Sequence, residues 1–141
     1  MVYFAYMSSL RKPLPITLAL SLFAIAIINA SASAYYLYWT LRWLDMPMHF
    51  AGGAWLAGFG VWWQFSRREI GSRNFLAVLW VCLIYTISIG LVWEVYEAAI
   101  SFFTVGYMNA MPDTLGDLLF DILGGTTVAV FTWWRMSQKH N

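Results

Sequence analysis

Four apolar runs, each close to the length that crosses a bilayer, constrain this chain more than any motif does. They cover about Leu14 to Ala34, Met46 to Phe65, Phe75 to Ile100 and Thr114 to Trp134. A helix needs roughly 20 mostly apolar residues to cross about 30 Å of hydrocarbon. Backbone polar groups in lipid must be satisfied within the segment, so helices are the expected conformation. The connections are short, which favours an up-down arrangement. We therefore expect an all-α, integral membrane four-helix bundle, with residues 1–141 forming a single transmembrane domain. Composition agrees: 61% of residues are hydrophobic and 11% charged, against about 45–50% and about 25% in soluble domains.

The same composition excludes some functions. A net charge of +1, with eight scattered Lys and Arg, cannot build a basic groove, so no nucleic acid partner is expected. Cys82 is the only cysteine, which rules out an internal disulfide. Its place within LWVCLIY points to a buried, inert thiol. The first run has the outline of a cleavable secretion signal, with Arg11-Lys12 before Ile16–Ile28 and a small-residue stretch at Ala30–Ala34. We read it as a retained helix.

Lys and Arg set the expected orientation. Arg11 and Lys12 precede the first run, Arg67, Arg68 and Arg73 separate the second from the third, and Arg135 and Lys139 follow the fourth. With cytoplasmic N and C termini, these seven lie inside and Arg42 alone outside, as the positive-inside rule requires. The segment from Ser101 to Asp113 has no basic residue, which suits the outer side. Trp39 and Trp43 would then mark the outer interface, and Trp62, Trp63, Trp133 and Trp134 the inner one. The expected location is the inner or plasma membrane.

Six of the seven acidic residues and one of the two histidines lie in or beside these runs. An ionisable side chain at mid-bilayer costs about 2.5–3.5 kcal/mol on insertion scales, so such groups are kept when paired, metal-bound or lining a polar cavity. Asp45 and His49 begin the second helix, Glu94 and Glu97 end the third, and Asp113, Asp117 and Asp121 begin the fourth. Alternating helix direction brings all seven to the outer leaflet. Asp45/His49 and Asp117/Asp121 are i,i+4 and Glu94/Glu97 are i,i+3, so each pair shares a face. Gly53, Ala57, Gly90, Gly124 and Gly125 extend those faces, and small residues let membrane helices approach closely.

Plainer roles exist for several of them. Asp113, between Pro112 and Thr114, and Asp45, two residues before Pro47, have the look of helix N-caps. His49 would otherwise donate to a carbonyl of a neighbouring helix, and Glu97 would be solvated near the surface. Arg42 would pair with Asp45 or hold a lipid phosphate. Trp93 and Tyr96 read as packing residues. Glu94, Asp117 and Asp121 are the hardest to explain this way. Clustered carboxylates cannot all stay charged without a counter-ion. No lysine or arginine lies within the spans, which leaves shared protons, bound water or a divalent cation. Oxygen ligands with one imidazole suit Mg²⁺, Mn²⁺ or Ca²⁺, with Zn²⁺ or Fe²⁺ as further options. A bundle-type di-iron centre is disfavoured, because the chain has Glu-x-x-Glu and not two Glu-x-x-His pairs.

The stretches LDMPMHFAGGAW, GLVWEVYEAA and MPDTLGDLLFDILGG resemble the VanZ-like and YjdF-like group of small multi-pass bacterial or archaeal membrane proteins. Asp45, His49, Glu94, Glu97, Asp113, Asp117 and Asp121 carry the resemblance, over three of the four helices. It implies a multi-pass inner-membrane protein, in some members tied to antibiotic resistance or envelope properties.

Three functions compete. The first is a metal-dependent hydrolase or transferase acting on a lipid headgroup or lipid-linked phosphate. Its metal ligands would be His49, Glu94, Asp117 and Asp121, its acid–base groups His49 and Glu97, and Asp45, Asp113 and Arg42 would form an additional polar site. The second is a proton or cation transporter, opposed by inner helix halves that lack ionisable residues. The third is a scaffold or accessory subunit with a structural polar cluster, partnered by a second copy or another membrane protein.

Overall fold

The computed structural model describes residues 13–67, 74–105 and 111–138, and all of its regular structure is helical. Helix α1 is Ile16–Ala34, followed by a single turn, α2 (Leu37–Thr40), and a 3₁₀ turn at Arg42–Leu44. Helix α3 is Asp45–Val61 and runs directly into a π-helical segment, Trp62–Arg67. Helices α4 (Phe75–Val105) and α5 (Met111–Ser137) complete the chain. Ile16–Ala34, Phe75–Thr104 and Asp113–Ser137 are each long and apolar enough to cross a membrane, with mean hydropathies of 1.9, 2.5 and 1.4. Alone, the 17 residues of α3 fall short of a span, and the π-helical segment lengthens it. This is a helical membrane protein.

Every fourth residue of α4 faces inward: Val78, Cys82, Thr86, Gly90 and Glu94 are all buried. On α3 the inward stripe is His49, Gly53, Ala57 and Gly60, and on α5 it is Asp117, Asp121, Gly124, Gly125 and Ala129. Each stripe is ionisable at one end, small in the middle and small or apolar beyond. Ala57, Phe65, Val78, Cys82 and Ala129 form the apolar core at the end remote from the acids. Helix α5 packs on both α3 and α4, most extensively on α3.

Close approach in the middle depends on glycine. A Cβ on Gly124 would collide with the Phe50 carbonyl oxygen, and one on Gly53 with the Asp121 backbone. A Cβ on Gly60 would lie 2.7 Å from the Tyr85 ring. Thr86, fully buried, donates to the Gly53 carbonyl at 3.2 Å and so ties α4 to α3. Changing Thr86 to Val keeps the shape and removes that bond, so unfolding in detergent should show a loss of about 0.5–1.5 kcal/mol. An unchanged melting curve would mean that the hydroxyl contributes nothing.

The structure modifies three expectations. First, α1 is a peripheral helix that packs mainly on α3. Trp55 Nε1 donates to the Leu18 carbonyl across that contact at 2.8 Å, and of α1 only Ala32 is buried. Leu20, Phe23 and Ile27 are instead exposed, as lipid-facing residues are. Second, Asp45 is the first helical residue of α3, with no side-chain cap bond at that end, and Asp113 lies inside α5, so neither is an N-cap. Third, Ser101–Val105 is helical, with Thr104 Oγ1 bonded back to the Ile100 carbonyl at 2.7 Å. Arg11, Lys12, Arg68, Arg73 and Lys139, on which the expected orientation rests, lie outside the described residues.

Tyr36 makes the turn out of α1. Its φ of 56° is left-handed, the one positive φ among described non-glycine residues, in a region that side chains with a Cβ seldom occupy. The reversal carries α2 back over the acidic end of the bundle, where Tyr38 donates to Asn29 Oδ1 at 2.6 Å.

Candidate functional site

His49 is the centre of the acidic end. Its Nε2 lies 3.8 Å from Asp45 Oδ1 and 3.8 Å from Asp117 Oδ1, and its Nδ1 lies 3.5 Å from Asp121 Oδ2. The first two separations are ion-pair distances, beyond hydrogen-bond length. Asp45 and His49 meet because they are one turn apart on α3, and Asp117 and Asp121 because they are one turn apart on α5. Two glycines seat Asp121. A Cβ on Gly90 would lie 2.7 Å from its Oδ2, and Gly53 admits its backbone.

Among the described residues, two sets of side chains are tight enough to hold an ion, and both include His49. In one, Asp45, His49 and Asp117 bring ligand atoms within 4.8 Å of one another. In the other, His49, Glu94 and Glu97 do so. Asp121 belongs to neither. It faces the ring nitrogen opposite the one nearest Asp45 and Asp117, where carboxylates commonly fix the orientation of a metal-binding imidazole.

Glu94 is the anomaly. It is 6% exposed, and neither carboxylate oxygen has a hydrogen-bond partner. Thr114 stands beside it without completing a bond. A buried polar group in this state costs about 1–3 kcal/mol, and more if charged. Glu97, one turn on, is partly buried. Trp93 packs against the Tyr96 ring, with centroids 5.4 Å apart.

Other expected residues lie apart. Asp113 is exposed and outside both sets. Arg42 is exposed, and among the described residues it makes no ion pair, with Asp45 or otherwise. Tyr38, on α2 above the cluster, has its hydroxyl raised above the usual phenol range, first by burial and then by the negative charges of Asp45 and Glu97. It therefore stays protonated and keeps donating to Asn29. Tyr38, Asn29, Thr86 and Thr114 had not been singled out in the sequence. Only Thr86 carried a usable signal there, since Thr86, Gly90, Glu94 and Glu97 follow one another at helical spacing.

Depth follows from helix geometry. At 1.5 Å per residue, Glu94 lies about 28 Å along α4 from Phe75, and Asp117 about 30 Å along α5 from Ser137. With those helix ends at one interface, the cluster sits at the opposite edge of about 30 Å of hydrocarbon, within reach of lipid headgroups.

Compared with known families, residues 1–138 match the family described as Predicted membrane protein (DUF2238). The chain belongs to that family. No curated protein and no solved structure matches it. Membership and the apolar helices together place the chain among small membrane proteins, and the match does not single out the VanZ-like or YjdF-like group.

Proposed function

We propose that this protein is a membrane-embedded, metal-dependent hydrolase or transferase that works on a lipid headgroup or lipid-linked phosphate at the outer leaflet of the inner or plasma membrane. The observation that carries the reading is Glu94, a buried carboxylate with no partner, one of a set with the imidazole that gathers three aspartates. A divalent cation would satisfy Glu94 and offset the clustered negative charge. The preference is Mg²⁺, Mn²⁺ or Ca²⁺, with Zn²⁺ also compatible with the imidazole. Bound there, it would polarise a phosphoryl oxygen and acidify a water.

In this reading His49, Asp45, Asp117, Glu94 and Glu97 supply ligands, and Asp121 orients the His49 ring. Glu97, at the partly exposed edge, accepts the proton of the attacking water. That water's oxygen bonds to phosphorus, the P–O bond to the leaving group breaks, and the proton passes to the departing oxygen. Arg42, exposed and without an ion pair among the described residues, is available to steer a phosphate. The VanZ-like and YjdF-like resemblance fits the same picture of an envelope-associated protein.

Elemental analysis of detergent-purified protein tests this directly. Divalent metal should accompany the native chain and be absent from a folded Asp117→Asn, Asp121→Asn double variant. Absence of metal from the native chain, even after incubation with Mg²⁺, Mn²⁺, Ca²⁺ and Zn²⁺, would remove the mechanism. The second reading, a structural knot, draws on the packing of Gly90 and Gly53 against Asp121. It requires that the double carboxamide variant lose the folded state itself. A transport path is less favoured, because the buried stripe beyond Thr86 is apolar.

A further inference from the structure

We infer that Asn29, on the peripheral helix α1, binds a phosphoryl oxygen of the substrate through its amide N–H groups, an inference that rests on the metal-dependent reading above. The need arises from the make-up of the cluster. Asp45, Glu94, Glu97, Asp117 and Asp121 offer acceptor oxygens, and both ring nitrogens of His49 face aspartates. A phosphoryl group brings acceptor oxygens of its own. Beyond the metal, it must find its hydrogen-bond donors on another element.

Position singles out α1. The Trp55 indole N–H donates to the Leu18 carbonyl at 2.8 Å, which fixes the register of α1 against α3. A short connection, residues 35–44, joins the outer ends of the two helices, so they run antiparallel. At 1.5 Å per residue, Asn29 lies about 17 Å from Leu18 along α1, and Asp45 about 15 Å from Trp55 along α3. Asn29 is therefore level with the Asp45 edge of the cluster. Tyr38 bridges the two: its hydroxyl donates to Asn29 Oδ1 at 2.6 Å, and it lies in the field of both Asp45 and Glu97.

Asn29 is the one side-chain amide of α1, and it is partly buried. A carboxamide has an acceptor oxygen and two N–H donors. Tyr38 occupies the oxygen, and among the described residues neither N–H has a partner. A latch for Tyr38 needs the acceptor alone, so the donors are surplus to it, and unpaired donors at the edge of the hydrocarbon cost free energy. The Tyr38 bond fixes the amide plane with its nitrogen free. The ligand class this suits is a phosphate ester, lipid-borne or free.

The probes are inorganic phosphate and short-chain dihexanoyl phosphatidic acid. Each is titrated against the full chain in a phosphorus-free detergent, loaded with Mn²⁺ and freed of excess ion. Paramagnetic broadening of the phosphorus magnetic resonance line reports a phosphoryl group held near the bound ion, and its concentration dependence gives an apparent affinity. The native chain should broaden one line or both, and the line that responds names the source. Asn29→Ala should weaken the affinity about tenfold or more, as loss of a hydrogen bond to a charged group does, with manganese per chain unchanged. Tyr38→Phe removes the same Tyr38–Asn29 bond and keeps the amide donors, so it should change the affinity far less. Equal losses in the two variants would reduce Asn29 to a latch and overturn the inference, as would broadening that Asn29→Ala leaves intact. Bound manganese that broadens neither line overturns the inference and leaves the metal reading standing. No bound manganese overturns both. Should the alanine chain not fold, Asn29→Ser, which keeps a hydroxyl acceptor and removes the amide, decides in its place.

Discussion

Replacing Glu94 with Met is expected to stabilise the metal-free protein while abolishing its response to divalent metal. The carboxylate it removes is buried and unpartnered. Without metal, nothing in the site offsets the cost of holding it there, so an apolar side chain of similar length should raise stability by about 1–3 kcal/mol. With metal the order reverses. A ligand at 100 times its dissociation constant adds about 2.7 kcal/mol to the native state, and a chain lacking Glu94 should forfeit most of that. Thermal unfolding in detergent, with chelator and then with excess Mn²⁺, gives four melting temperatures. The variant should melt higher than the native chain in the first condition and lower in the second. A variant that melts lower in both would show that Glu94 already has partners in the metal-free state.

The second large effect is on the fold. A methyl group on Gly124 would meet the Phe50 carbonyl oxygen and, at 2.8 Å, the Ala54 nitrogen, and one on Gly53 would lie 2.7 Å from the Asp121 Cα. These obstacles are backbone atoms that no rotamer change can move. Gly124→Ala and Gly53→Ala should therefore exceed the about 1–3 kcal/mol usual for overpacking and force α3 and α5 apart. Gly52→Ala and Gly116→Ala are the controls, since nothing lies within 4 Å of either new Cβ. Both lie inside helices, where alanine is favoured over glycine by about 1 kcal/mol. Opposite outcomes for neighbours as close as Gly52 and Gly53 would be hard to explain by anything but helix contact. Equal tolerance of all four substitutions would refute the close approach.

Much of this arrangement was legible in the sequence because it follows from spacing. The lengths of the apolar runs imply helices, and alternating direction carries Asp45, His49, Glu94, Asp117 and Asp121 to one end. The glycines on the same faces pointed to close contact, which the structure shows at Gly53, Gly90 and Gly124. What spacing cannot convey is azimuth between helices. It could not tell that Asp121 faces one ring nitrogen of His49 and Asp117 the other. Nor could it separate Asp113, which is exposed, from Asp117 one turn on, which is buried. Thr86 passed as part of an apolar run because a threonine satisfies its own hydroxyl in many helices. Here it reaches across to Gly53 instead. The peripheral place of α1 was hidden for a related reason. Its residues are as apolar as those of α4, and in lipid an apolar face is at home whether it touches protein or not.

The dependence of both neighbours on α5 has a consequence for how the chain is made. Ribosomes deliver the helices in order, and α5 emerges after α3 and α4. Until it arrives, the nascent chain holds His49, Glu94 and Glu97 without Asp117 or Asp121, and the grooves at Gly53 and Gly90 gape toward lipid. A chain stalled before residue 111 thus displays polar groups that the bilayer penalises. Helix α5 brings Asp117 and Asp121 to His49 and fills those grooves in the same event.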